Sequence, residues 1–407
     1  MGWKRELSRI VTPAEAGYSD RFPRELLDSM MAMGDPVVDR ATVLLHEDEY
    51  RTGEGNLERL RALADDGNDT ALAFFEHAAR VPDWVDWQLM ARGQRLALAH
   101  LELYGLSLLH NLFAGATFMR STQVIAATGR IGGDPSRRIQ ETGGFIAAVL
   151  ADDGARPGSP GHATATRVRL LHGSIRHWFT VGFDYETPYT GVPIDQVSLA
   201  LTLGLFSHQN IRNLLRLGVP LRREDVEGHH LLWRYVGYLL GIDERLLTET
   251  PEQEAELWSA LVAHQAFPEL LGESSVKGMV DFMAGQMERP SALARRETMA
   301  RALLHHLSGP EILGVDQVLR HVPTEVLHRT VGRTMGGAFR WVPGAENRLV
   351  DRGLRLFEKA MALGREHDYG IEIESGDAAD RDADRARYEK SLAGVAARYD
   401  LASTPAR

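Results

Sequence analysis

Cysteine is absent from the chain. That excludes disulfides, thiolate-held metals, cysteine-bound iron–sulfur clusters and cysteine nucleophiles, so any redox chemistry must rest on other ligands. Long apolar runs are missing as well: no stretch reaches eighteen apolar residues without polar interruption, and no membrane-spanning helix is expected. The first residues, Met1 to Ile10, carry charged and polar groups with no apolar run behind them, so no signal peptide is expected and the chain reads as cytoplasmic. Positive charge is in deficit, with 46 Lys and Arg against 56 Asp and Glu, and the formal net charge of -10 argues against a general nucleic-acid binder. There is no internal repeat, glycine-rich phosphate loop, G-x-S-x-G nucleophile elbow or H-E-x-x-H zinc motif, which weakens the commonest rival enzyme classes.

What is present is a chain of 407 residues, 44% hydrophobic, with room for one large domain or two ordinary ones. Apolar residues recur at helical spacing: Leu57, Leu60 and Leu63, then Ala71, Leu72, Phe74, Phe75 and Ala78. The break Val81-Pro82-Asp83-Trp84 predicts a new helix with Asp83 as its cap, and Thr250-Pro251-Glu252-Gln253 predicts another capped start. Glycine, proline and small polar residues from Ala151 to Ala165 predict a loop, and the apolar run from Gln196 to about Phe206 a further helix. The expected fold is all-α. Residues 1–50 are expected to form an N-terminal arm, 51–345 the main helical domain, and 346–407 a helical or solvated extension.

The stretch around which the rest is arranged is Thr-Arg-Val-Arg-Leu-Leu-His-Gly-Ser-Ile-Arg-His-Trp-Phe, residues 166–179. Arg169, His172 and Arg176 are three and four residues apart and share one helical stripe. Flanking cations disfavour imidazolium, and neutral imidazole is the metal-binding form. Arginines suit porphyrin carboxylates or phosphate oxygens. The same pattern also describes a core helix whose arginines pair with acidic residues elsewhere and whose histidine is satisfied by a carbonyl. Both readings stand on the residues alone. Upstream, Arg138, Glu141 and Thr142 occupy adjacent helical positions before Gly143-Gly144, which reads either as a surface pair with a flexible break or as a backbone suited to a planar ligand.

Arg169-x-x-His172-x-x-x-Arg176 resembles the most characteristic element of the family containing the latex clearing proteins and the oxygenase of mycophenolic acid biosynthesis. Further stretches match in order: Arg138-Ile139-Gln140-Glu141-Thr142, Gly191-Val192-Pro193-Ile194-Asp195-Gln196, and Trp233 to Gly241. The resemblance implies a globin-like helical core, with additional surrounding helices, that holds haem b. It makes His172 the proximal iron ligand, with Arg169 and Arg176 either at the haem propionates or fixing the helix. It places Glu141, Arg138 and Thr142 on the distal side, where latex clearing proteins carry a lysine at the position of Glu141. That departure exchanges a cation for a proton acceptor and implies a different reaction or substrate. The implied partners are molecular oxygen and an apolar small molecule, isoprenoid or alkene-containing. A haem-based gas sensor and a cofactor-free helical interaction protein are the alternatives from other classes. Among the remaining histidines, His110 is a weaker alternative ligand, His162 reads as a loop residue, His208 and Asn210 as rim groups, and His229-His230 as an improbable metal site.

Overall fold

The computed structural model describes residues 2–12, 14–45, 55–118, 135–182, 192–265 and 347–355, with side chains outside the description at 109, 112–118, 135–141 and 181–182. All regular structure among the described residues is helical. The helices are α1 (Gly2–Leu7), α2 (Arg24–Met31), α3 (Pro36–Leu45), α4 (Asn56–Asp65), α5 (Asp69–Ala79), α6 (Trp87–Ala99), α7 (Leu101–Phe118) and α8 (Pro135–Leu150). There follow α9 (Pro160–Gly182), α10 (Gln196–Phe206), α11 (His208–Arg216), α12 (Arg223–Leu239), a 3-10 turn (Glu244–Leu246) and α13 (Pro251–Gln265). A final helical stretch spans 347–355. No described helix is long and apolar enough to cross a membrane.

Local chemistry sets several boundaries. Asn68 opens α5 by accepting from the Thr70 and Ala71 amides at 3.0 and 3.1 Å. Asp86, rather than Asp83, caps α6, taking the Gln88 and Leu89 amides at 2.9 and 3.0 Å, and the residues from Val81 to Val85 form a turn before it. At α13 the expected capping arrangement is present: Thr250 Oγ1 accepts from the Gln253 amide at 3.2 Å, and the Glu249 amide donates to Gln253 Oε1 at 2.9 Å. The expected loop from Ala151 to Ala165 is shorter. Pro160 starts α9, the Ser159 hydroxyl accepts the His162 amide at 3.3 Å, and His162 through Ala165 are helical. Proline has no amide to lose in a first turn, so it begins a helix as readily as it ends one.

The centre of the molecule is the crossing of α6 on α12. A Cβ on Gly93 would stand 2.3 Å from the His229 amide nitrogen, and one on Gly228 would stand 2.1 Å from the Leu89 carbonyl. Each glycine therefore lets the other helix's backbone come within touching distance. Around this crossing pack Trp233, Tyr235, Tyr104, Val226, Leu232 and Val236, all at 0% exposure, and residues of α1 and α2, including Leu7, Leu27 and Met30, join the same core. A second apolar cluster unites α3, α4 and α5 through Val38, Leu45, Leu60 and Phe74 and reaches α9 at Leu170. Helix α9 lies between α3 on one side and α8 on another.

Candidate functional site

Helix α9 runs unbroken through Arg169, His172 and Arg176, as their spacing predicts. The two arginines are almost wholly buried, and both turn to α3. Arg169 Nε donates to Asp35 Oδ2 at 2.5 Å and its Nη2 to Asp35 Oδ1 at 2.8 Å, a two-pronged pair whose side chains are 2% and 3% exposed. Its remaining prong, Nη1, donates to His77 Nδ1 at 2.7 Å. Guanidinium has no acceptor, so this nitrogen of His77 carries no proton. Consistent with that, burial and then the Arg169 cation push the His77 pKa down to about 4. The His77 ring also stacks on Tyr238, 4.7 Å between centroids.

Arg176 repeats the arrangement one turn beyond His172. Its Nη1 is bonded to Asp39, while Nε and Nη2 donate to the Pro193 and Ile194 carbonyls at 3.1 and 2.9 Å. Burial raises the Asp39 pKa, with the Arg176 cation opposing it. The chain at Pro193-Ile194 is held in place for this purpose: Ile194 has φ of 54° and Asp195 caps α10 through the Ser198 amide at 2.8 Å. Between the two arginines, Gly173 faces α3 so closely that a Cβ there would meet Thr42 Oγ1 at 2.5 Å and Val38 at 3.0 Å. His172 itself is half-buried.

Helix α8 packs on α9 across the connection 151–159. Glu141 precedes the end of α8 by nine residues and His172 follows the start of α9 by twelve. Gly143 and Gly144 continue α8 without a break, and a Cβ at either would meet nothing within 4 Å among the described residues. Thr142 is half-buried. The side chains of Glu141 and Arg138 lie outside the described residues, as does Gly191.

The described histidines that could rival His172 have structural places. His110 is buried beside Asn111 and Asn213, with its pKa lowered to about 3 by burial and then by Arg212. His162 is helical, its ring 2.7 Å from the Ala78 carbonyl. His208 and Asn210 are not rim groups but core, at 4% and 0% exposure, because α11 is enclosed by neighbouring helices. His229 Nε2 accepts from Trp233 Nε1 at 3.1 Å and lies 2.9 Å from the Tyr104 hydroxyl, and His230 meets Thr248 at 3.0 Å. No group of three or more His, Asp or Glu side chains suited to a metal occurs among the described residues. A small cavity between His230, Thr248, Glu254 and Trp258 has room for about one water molecule, too little for an organic substrate.

Asp35, Asp39 and His77 are the site-building residues that sequence reasoning missed. Asp35-Pro36 carries the signature of a helix start, and Asp35 Oδ1 indeed accepts from the Val37 and Val38 amides at 3.2 and 3.3 Å. Two aspartates one turn apart are a faint sign of a matching basic pair. Their arginines lie 134 and 137 residues away, which no local pattern spans.

The family model described as "ER-bound oxygenase mpaB/B'/Rubber oxygenase, catalytic domain" matches residues 87–363. A rubber oxygenase of Streptomyces sp. (strain K30) is 25% identical over 227 residues, 53% of this chain and 54% of that protein, so the match spans about half the relative's length. The solved structure of latex clearing protein in its closed state aligns with a TM-score of 0.54 at 18% identity, covering 86% of this chain and 94% of that one, a likeness of fold. The family description corrects the cytoplasmic expectation, since it names ER-bound oxygenases. The reason lies in the inference: a protein can be held at a membrane surface by an amphipathic face or an anchor, so the lack of a spanning run does not fix its compartment. With more than half of its length matched, the chain belongs to the mpaB and rubber oxygenase catalytic-domain family.

Proposed function

We propose that the protein is a haem b-dependent oxygenase acting on an apolar small molecule that contains an alkene or isoprenoid chain, with His172 as the proximal ligand in a globin-like core. The observation that carries the reading is the state of the Arg169–His172–Arg176 stripe inside a family of oxygenases. Both guanidiniums are drawn to α3, while the imidazole between them remains half-buried. The donor set fits haem: there is no cysteine, and an imidazole fixed in mid-helix is the non-thiolate ligand the chemistry needs. Gly143-Gly144 on the adjoining helix, which no described residue covers within 4 Å of an added Cβ, suits a flat cofactor.

Haem would supply the dioxygen chemistry. This chain's residues supply the rest. His172 offers its imidazole as the ligand, and Arg169 and Arg176 fix its helix through Asp35 and Asp39 rather than reaching for propionates. Glu141, on the helix that faces α9, serves as a proton acceptor on the distal side, with Arg138 orienting its carboxylate and Thr142 offering a hydroxyl to bound water or substrate. Glutamate where latex clearing proteins carry lysine favours a reaction or substrate other than rubber cleavage. The catalytic unit of this reading runs from 51 to 345, with the arm 1–50 contributing the aspartates and 346–407 as an extension.

Oxygen uptake measured with the haem-loaded protein against a panel of prenyl and alkenyl compounds tests the proposal. Uptake that depends on one of them, with a new oxygenated product, is expected. Stable gas binding with no product across the panel would replace the oxygenase reading with a sensor.

A further inference from the structure

We infer that Asp35 and Asp39 are positioning residues for His172: two aspartates one turn apart on α3 clamp α9 through Arg169 and Arg176, on either side of the histidine. The inference rests on the haem reading for what the histidine binds, and on the helix geometry alone for the clamp.

The geometry is that of a two-point fixture. Arg169 precedes His172 by three residues and Arg176 follows it by four, so the anchored points are about 10 Å apart along the helix with the histidine between them. Asp35 holds the first with two charged bonds at 2.5 and 2.8 Å, and Asp39 holds the second. Between them Gly173 lets Val38 and Thr42 of α3 reach the α9 backbone. A helix fixed before and after a residue, and pressed at the next one, has lost both rotation about its axis and sliding along it. The reach of an imidazole at position 172 is then set by α3.

The choice of ionic pairs supports positioning over plain stability. Enclosed ion pairs give little net stability compared with apolar packing of the same volume, because both charges lose their water. What they give is directional: a forked donor meets a forked acceptor in one register only. The surroundings enforce that register. Asp35 also caps α3, and Gly241, at φ of 79°, comes so near that a Cβ would stand 1.9 Å from Asp35 Oδ2.

The test uses Asp39→Asn in the full chain. Asp39 is the milder site to change, because it is 34% exposed and Arg176 keeps its bonds to the Pro193 and Ile194 carbonyls. The first measurement needs no haem: amide hydrogen exchange across 169–176, with α6 and α12 as internal controls. Roughly tenfold faster exchange confined to α9 is expected, in line with losing a charge-assisted bond. Unchanged exchange in α9 would overturn the clamp.

The second measurement reads the histidine. Reduction potential and ferric spectrum are compared for Asp39→Asn in two backgrounds, one with His172 and one with His172→Gly supplied with free imidazole. A shift is expected in the first and none in the second, because free imidazole is not tied to α9. The same shift in both would show that Asp39 acts by another route and would overturn the positioning role. Loss of α9 protection in a protein whose wild type takes up no haem would leave the clamp standing, and would refute the haem reading together with the ligand half of this inference.

Discussion

Replacing Asp35 by alanine is expected to be among the most costly single changes in the chain. Both partners of the Asp35–Arg169 pair are nearly inaccessible, at 3% and 2%, and its two bonds are 2.8 Å or shorter. The substitution leaves a buried guanidinium bonded to the neutral His77 ring and removes the cap of α3. Breaking such a pair from one side costs about 3–5 kcal/mol, and the lost cap adds about 1. Removing both charges should cost less than the two single changes together, because no ion is then stranded. A cycle of wild type, Asp35→Ala, Arg169→Met and the double variant, followed by urea unfolding, gives the coupling directly. A coupling of about 2 kcal/mol or more is expected for residues in contact. Additive losses, or an Asp35→Ala cost under about 1 kcal/mol, would refute the account of α9 as a helix held by α3.

Gly228→Ala should disturb the α6–α12 crossing, since its Cβ would stand 2.1 Å from the Leu89 carbonyl, a backbone atom that cannot turn aside. A loss of about 3 kcal/mol, at the upper end of overpacking effects, is expected by urea unfolding. Glu254 is buried with its pKa raised from 4.5 to about 8 by desolvation, so the folded protein holds its proton more tightly than the unfolded chain. Its contribution is fully present below pH 4.5 and is lost as pH rises towards 8, at up to about 1.4 kcal/mol per pH unit. Glu254→Gln should therefore be more stable than wild type above pH 8, measured as a difference in unfolding free energy across that range. The buried histidines 110, 208, 229 and 230, all lowered to about 3 chiefly by burial, work in the opposite sense at acid pH. The unfolded state takes up protons there first, so stability should fall steeply from pH 6.5 towards 3. Glu141→Gln in the haem-loaded protein should lower turnover at least about 100-fold if the carboxylate moves a proton, and full turnover across pH would remove that role.

Much of the architecture was legible because its signals are local. Helical periodicity located α4, α5 and α10, and Thr250-Pro251 located the start of α13, since capping and amphipathic spacing act within a turn or two. Composition misled where it was read without position. The glycine- and proline-rich stretch 151–165 suggested a long loop, yet Pro160 sits where a helix accepts it, and Gly143-Gly144 lies inside α8, since a penalty of roughly 1 kcal/mol per glycine does not by itself end a helix. The stripe Arg169–His172–Arg176 was visible as a pattern, but its meaning depended on partners more than 130 residues away. Asp35 and Asp39 read locally as a helix start, and only the fold brings them to the arginines.

The most direct measurement is the absorption spectrum of the purified, haem-supplied protein, oxidised and reduced, beside His172→Ala. A haem spectrum in the wild type that is lost or altered in the variant is the expected result. No haem uptake by the wild type, or an identical spectrum in the variant, would contradict His172 as the iron ligand.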